Sequence, residues 1–405
     1  MNIPSLFFSG GRSRPVPTPP QYPVVLPTSH ESPRGTVLFS YMTECLTYHD
    51  DDVRLKGHSN LWECRTIVRI FNDLGFDVEA IRWDDRTFTP RKDYQVIFDI
   101  SSNLPRLSAH MEQKHLLLLH RTGSDAFFQN AAEISRVKSM EARRNANYCP
   151  KRQVPFPDLE RLALEKASSA TLLGNEYILQ TYPAELKQKI RLIPVSGSEL
   201  CKTEKKECYV PSERNILCFC GNGGAHKGID LLLEVFGAHP EWTLHIVGDV
   251  IKEPDFKRAY LKELTSTTNI HYHGFLYPSD PEFQTILSSC FAFILPSCSE
   301  GTSAAAVTCM QLGLYPLISR ETGVTLPKDC GRYLETCSIE EIETLVLEIL
   351  QYPATQLEKE ISTVQRFAMD AFSRKAFHSA MFKAIEDATK SIPMSRTKET
   401  APCAS

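Results

Sequence analysis

Residues Phe291–Ser319 read FAFILPSCSEGTSAAAVTCMQLGLYPLIS. The apolar residues Phe291–Leu295 run into the turn Pro-Ser-Cys-Ser. Glu300 and Gly301 then stand at the mouth of a Ser/Ala-rich helical stretch, and a second apolar run follows Gly313. Apolar run, polar turn, helix, apolar run is the order of a βαβ unit, with its loop at the carboxyl end of the first strand. Ligands of open α/β sheets bind at such ends, where a fresh helix N-terminus offers backbone N–H groups to anions. Glu300 does not suit an anion, because a carboxylate repels phosphate; it suits hydroxyl donors.

The same alternation extends in both directions. Downstream of residue 214, strands are expected at Asn215–Phe219, Thr243–Val247, Ile270–His273, Phe291–Leu295 and Tyr315–Ile318. Helices between and after them are expected near Ile229–Ala238, Phe256–Leu264, Glu282–Ser289, Thr302–Leu312 and Ile339–Gln351. Upstream, strands are expected at Gly35–Ser40, Asp77–Ile81, Tyr94–Ile100, His115–His120, Ala170–Gly174 and Ile190–Pro194. The segment LWECRTIVRIFNDLG spaces Leu61, Ile67, Val68, Ile70, Phe71 and Leu74 as a helix does; Ser59 or Asn60 suits its cap and Gly75 its end. Further helices are expected over Ala126–Asn145 and Asp158–Ser168. Strands alternating with helices imply two mostly parallel, right-handed, doubly wound α/β domains facing across a cleft.

The expected boundaries are a Pro-rich tail at 1–33, a first domain at 34–196, a polar linker at 197–213 and a second domain at 214–370. A helix at 371–390 is read as returning to the first domain, and 391–405 as a flexible tail. At 405 residues two such cores are in order. A net charge of −4 gives no argument for nucleic acid. No stretch reaches the roughly 18 apolar residues of a membrane span, and no secretory signal is expected, since no basic region followed by an apolar core is read near residue 1. The thirteen cysteines are scattered without a CxxC pair, which fits free thiols in a reducing cytoplasm and argues against zinc.

The strand at Asn215–Phe219 opens into CGNGGAHKGIDLLLEVF. Its glycines let the backbone approach a ligand, and Lys227 before Gly228 supplies a cation where a phosphate would rest. Gly228 replaces the hydroxyl residue of a P-loop, so that motif is not expected here. A phosphate loop at one strand end and a hydroxyl-accepting carboxylate at another describe a nucleotide sugar. His120 closes the run HLLLLH at a strand end and is read as facing the cleft. The turn Gly57-His58-Ser59-Asn60 places donors at a helix start, for capping or for a ligand on the cleft side. Asp50–Asp52 nominally satisfy a D-x-D metal–nucleotide pattern but precede no strand, and no metal is expected there. Arg136, Lys138, Arg143, Arg144, Lys151 and Arg152 make the segment 136–152 basic. That is the composition of a solvated face, of a contact with an acidic acceptor, or of a peripheral contact with anionic lipid at the inner membrane face. No G-x-S-x-G elbow is present.

With these pieces placed, the chain resembles the group 1 glycosyltransferases, retaining nucleotide-sugar enzymes of the GT-B fold. The likeness covers most of residues 35–390 and is sharpest from Asn215 to Ser319, in FCGNGGAHKGIDLLLEVF, LHIVGD, NIHYHGF and FILPSCSEG. The resemblance implies that Lys227, with Gly223 and Gly224, binds the donor diphosphate. It implies that Glu300 contacts hydroxyls of the transferred sugar, beside N–H groups of Gly301, Thr302 and Ser303. It sets His120 near the reacting sugar, and Gly248 and Asp249 on the nucleotide side. Two positions depart from the family pattern: Asn222 replaces an arginine of the phosphate loop, and Thr308 a second glutamate that binds ribose. SCSEGTSAAAVTCMQLGLYPLIS and TLLGNEYILQTY are similar to a bacterial subgroup in which Thr at that place is familiar. The implied activity is transfer of a hexose from a nucleotide diphosphate sugar to a carbohydrate or lipid-linked acceptor, without metal or other cofactor. A non-catalytic nucleotide-sugar-binding protein and a sugar-nucleotide epimerase of the same fold stand as alternatives.

Overall fold

A computed structural model describes residues 23–57, 59–199 and 215–393. The first domain is built on a seven-stranded sheet: β1 (Val24–Leu26), β2 (Gly35–Tyr41), β3 (Phe76–Arg82), β4 (Val96–Asp99), β5 (Leu116–Arg121), β6 (Ser169–Leu173) and β7 (Ile190–Ile193). Its order is β1-β3-β2-β4-β5-β6-β7, parallel except for β1. The second domain has six parallel strands: β8 (Asn215–Phe219), β9 (Leu244–Val247), β10 (Ile270–Gly274), β11 (Cys290–Leu295), β12 (Tyr315–Ser319) and β13 (Arg332–Leu334), in the order β10-β9-β8-β11-β12-β13. Every residue of β11 is buried, as a central parallel strand covered on both faces requires. Both sheets reverse direction beside their first parallel strand, at β2/β4 and at β8/β11. The second reversal is the crevice that receives ligands in doubly wound sheets.

The opening stretch folds as the βαβ unit it spells, β11, helix Ala304–Gln311 and β12. Four expectations need correction. β1 lies inside the segment read as a tail: Val24 and Val25 pair with Ala80 and Glu79, and prolines flanking VVL are tolerable on an edge strand. The helix expected over Phe256–Leu264 is two, Pro254–Ala259 and Leu261–Ser266, broken at Tyr260, whose hydroxyl donates to Glu234 at 2.6 Å. β13 and the helix Ala354–Ala371 were not expected at all. Beyond Pro393 the C-terminal tail lies outside the described residues, as do 1–22 and most of the linker, but the carbonyl of Ile392 is held by Arg34 at 2.7 Å.

The helix Arg374–Thr389 packs on the first domain, Phe377 against Trp62 at 5.8 Å between ring centres and Asp387 paired with Arg191. The chain therefore crosses between domains twice, and the crossings touch: the N–H of Gly197 donates to Phe372 O at 2.6 Å. The described cysteines are free thiols, buried except for Cys149 and Cys330. Among the described residues no helix is long and apolar enough to cross a membrane.

Candidate active site

Because β8 and β11 are neighbours, the loops leaving their carboxyl ends meet. The Lys227 ammonium donates to the Glu300 carboxylate, and Ser297 adds a hydroxyl to the same oxygen at 3.1 Å. Two glycines make this approach possible. Gly223 sits at φ 102°, and a Cβ on Gly228 would lie 2.4 Å from the carbonyl of Pro296. Burial alone would raise the Glu300 carboxyl, but the Lys227 ammonium, with Arg152 adding to it, holds it below the ordinary carboxylate range. His226 is pushed down to about 4 by burial and by Lys227, so it stays neutral; its Nε2 bonds Ser299 O at 2.6 Å.

The first domain grips the Glu300 turn from the other side. Ser124 N–H donates to Glu300 O at 2.9 Å, and the hydroxyls of Ser124 and Ser299 are bonded. A Cβ on Gly301 would meet Thr122 O at 2.4 Å and Leu173 O at 2.5 Å, so only glycine fits against that backbone. Of the three N–H groups expected beside Glu300, Ser303's is spent on Thr322 O at 2.8 Å while its hydroxyl caps the helix at Ala306 N. Those of Gly301 and Thr302 have no partner among the described residues. A similar correction applies to the glycine loop. The N–H groups of Gly223 and Gly224 do not point to open space; they donate to the buried carboxylate of Glu253 at 2.5 and 3.1 Å. The second oxygen of Glu253 accepts from the hydroxyl of Tyr148, a first-domain residue.

Thr308 reaches a cavity of about 160 Å³ that Gly221, Phe275 and Tyr277 line from the second domain and Gly57, Ser59 and Ser196 from the first. Asn60 is exposed and does not line it; His58 lies outside the described residues. Gly248 and Asp249 end β9 beside Cys220 but do not line this cavity either, and Asp249 is paired with Lys252 at 2.8 Å. His120 departs from expectation most. Its side chain is fully buried between Phe98 and Tyr41 rather than open to the cleft, with Nδ1 bonded to Thr171 Oγ1 at 2.7 Å. Burial, helped by Arg121, pushes it down to about 3, so the ring is neutral, and Nε2 has no partner among the described residues. Asp50 and Asp52 are engaged by Arg65, Arg69 and Arg54, and among the described residues no acid, His or Cys cluster is placed to hold a metal.

The comparisons with known proteins agree with this frame. Residues 202–362 match the family model described as glycosyl transferases group 1. Sucrose-phosphate synthase from Thermosynechococcus elongatus shares the fold with a TM-score of 0.63 at 14% identity, over 88% of this chain and 99% of that one. Anabaena HepE, solved with UDP and glucose, gives 0.55 at 13% identity, over 88% and 100%. WaaG, described as a glycosyltransferase of lipopolysaccharide biosynthesis, gives 0.52 at 14%, over 87% and 99%. No curated protein sequence matches the chain. The two facing doubly wound domains are the GT-B fold, and the protein is a glycosyltransferase.

In this glycosyltransferase the basic segment is not a free cationic face. Arg136 donates to Pro296 O at 3.0 Å, Arg143 to Asp230 at 2.6 Å and Glu234 at 3.0 Å, and Arg144 to Glu263 at 2.8 Å. Lys151 pairs with Asp255 at 3.4 Å, and Arg152 donates to Asn222 Oδ1 at 3.2 Å; Lys138 is exposed. The cations at the end of helix Ala126–Arg144 meet acids one turn apart on helix Ile229–Ala238, so part of the segment read as a solvated face, an acceptor contact or a lipid contact ties the domains together. Sequence reading missed Glu253, Tyr148 and the role of Arg152. Glu253 and Tyr148 stand in segments without a motif, and their partners, like that of Arg152, are distant in sequence: Glu253 meets the glycine loop of its own domain, while Tyr148 and Arg152 find theirs across the domains.

Proposed function

We propose that this glycosyltransferase moves a hexose from a nucleoside diphosphate sugar to a carbohydrate or lipid-linked acceptor, with retention at the anomeric carbon and without a metal cofactor. The supporting observation is the Lys227–Glu300 pair at the β8/β11 reversal, a phosphate-seeking ammonium and a hydroxyl-accepting carboxylate in one crevice. In this reading the sugar's hydroxyls take Glu300, the free N–H groups of Gly301 and Thr302 face the same ligand, and the nucleoside occupies the cavity at Thr308. The bond from the anomeric carbon to the diphosphate breaks with its electron pair on the phosphate oxygen. The acceptor oxygen bonds the same carbon on the same face, and its proton passes to the departing diphosphate. Lys227, released from Glu300, meets the charge that develops on the leaving group. His120, held neutral, is a hydrogen-bond partner for a sugar hydroxyl through Nε2, once neighbouring side chains make room. The test is a panel of UDP-, ADP-, GDP- and dTDP-hexoses, read by nucleoside diphosphate release with simple acceptors and by thermal shift. One donor should both stabilise the protein and turn over; no shift and no release with any donor would end the proposal.

A further inference from the structure

The glycine loop is short of positive charge for a diphosphate. Its own cation, Lys227, is paired with Glu300, and its N–H groups at Gly223 and Gly224 are taken by a second carboxylate, Glu253. One cation against two carboxylates repels a ligand that brings at least two negative charges more. Arg136 is held by the carbonyl of Pro296. Arg152 is different: the stem of this first-domain residue lies on the loop, its Cγ 3.0 Å from where a Cβ of Gly223 would be. Its guanidinium ends on Asn222 Oδ1 at 3.2 Å, a neutral and exposed partner that an anion displaces readily. The backbone of Arg152 is fixed independently of that side chain. Its N–H donates to the buried Glu133 at 2.8 Å, and its carbonyl accepts from Gln129.

We infer that Arg152 is a donor-phosphate ligand contributed by the first domain, its guanidinium exchanging Asn222 for phosphate oxygens when the nucleoside diphosphate enters the loop. The inference rests on the proposed donor site at Lys227 and adds a residue from across the cleft. Diphosphate binding then bridges the domains, because Lys227 holds the ligand from one side and Arg152 from the other. The planar fork of arginine suits two phosphate oxygens, which a lysine point charge does not reproduce.

The experiment measures binding of UDP, ADP and GDP, and of the matching nucleosides, to the full chain by calorimetry. Variants are Arg152→Gln, Arg152→Lys, Lys227→Ala and the double Arg152→Gln/Asn222→Arg. For whichever nucleoside diphosphate binds the wild type, Arg152→Gln should weaken binding at least tenfold and leave the bare nucleoside unchanged. Arg152→Lys should recover only part of the loss, and Asn222→Arg should restore affinity in the Gln background by replacing the cation from within the loop. Unchanged diphosphate affinity in Arg152→Gln, with loss in Lys227→Ala, overturns the inference and leaves the donor site standing. Equal weakening of nucleoside and diphosphate overturns it too, because the residue would then act on the fold. Failure of every diphosphate to bind the wild type removes the donor site and this inference together.

Discussion

The Lys227 ammonium and the Glu300 carboxylate, 73 positions apart in the chain, are hydrogen-bonded across the ends of two adjacent parallel strands. Both side chains are nearly buried, 10% and 13% exposed, so each depends on the other for compensation. Lys227→Ala leaves a carboxylate without its cation and should cost about 1–3 kcal/mol of stability. Removing the charge from both, as Lys227→Met/Glu300→Gln, should restore most of that. Turnover should fall about 10²–10³-fold in Glu300→Gln and in the double variant alike, because stability and transition-state charge are separate demands on the pair. Denaturant melts and donor turnover on the four proteins check this, and a double variant that regains activity with stability would sink the assignment.

Asp230 and Arg143 bind the domains at the far end of the basic helix. Asp230 is fully buried, and burial pushes its carboxyl up to about 6 despite the pull of Arg136 and Arg143. Arg143→Gln removes a direct partner of a buried charge and should cost about 2–4 kcal/mol of domain association. Asp230→Asn in the same chain should return part of it, giving a positive coupling in a double-mutant cycle. Small-angle scattering should show a larger radius of gyration for Arg143→Gln and a near wild-type value for the double variant. Equal radii in all three would mean that the ion pair does not hold the cleft.

Local patterns made much of this architecture legible. Helix Ile229–Ala238 and β8 fall where their periodicity places them, and the β11 turn spells its own βαβ unit. The helix Ala354–Ala371 was legible too: its buried Leu357, Ile361, Val364 and Ala368 recur at helical spacing. β13 was not, since three residues starting with an arginine carry no strand signal of their own. Lys227 and Glu300 were readable as separate chemistries because each sits at a strand end. Glu253 was not readable, because its partners lie 30 residues upstream at Gly223 and 105 residues upstream at Tyr148. His120 was placed on the right strand but on the wrong footing: strand position does not tell that Phe98 and Tyr41 enclose the ring.

Glu253 accounts for both glycine N–H groups and for Tyr148, so its loss should loosen the loop rather than the core. Glu253→Ala leaves two buried N–H donors and a hydroxyl unpaired, at about 1–3 kcal/mol each before water enters. Amide exchange at Gly223 and Gly224 should quicken by an order of magnitude or more, while exchange in β9 and β11 holds. Tyr148→Phe should show a smaller change in the same two amides, and uniform acceleration across the domain would argue that Glu253 is simply part of the core.

Glu63 supplies the pH dependence. It is fully buried on helix Ser59–Asp73, with Oε1 accepting the N–H of Ser196 at 2.6 Å and Oε2 without a partner among the described residues. Burial raises its carboxyl to about 7, over the opposing pull of Ser196 and Arg374. An acid raised in the folded state contributes fully below its unfolded value of 4.5. That contribution is lost as pH climbs from there to about 7, at about 1.4 kcal/mol per unit. Glu63→Gln keeps an acceptor for Ser196 and removes the ionisation. The variant should therefore match the wild type near pH 4, gain on it through pH 5 and 6, and stay about 3 kcal/mol more stable above pH 7. Urea midpoints at half-unit intervals measure the difference. Because Ser196 leads into the interdomain crossing and lines the cavity at Thr308, the same titration should move nucleotide affinity in the wild type and not in the variant. Parallel pH profiles for the two proteins would show that Glu63 is not the titrating group.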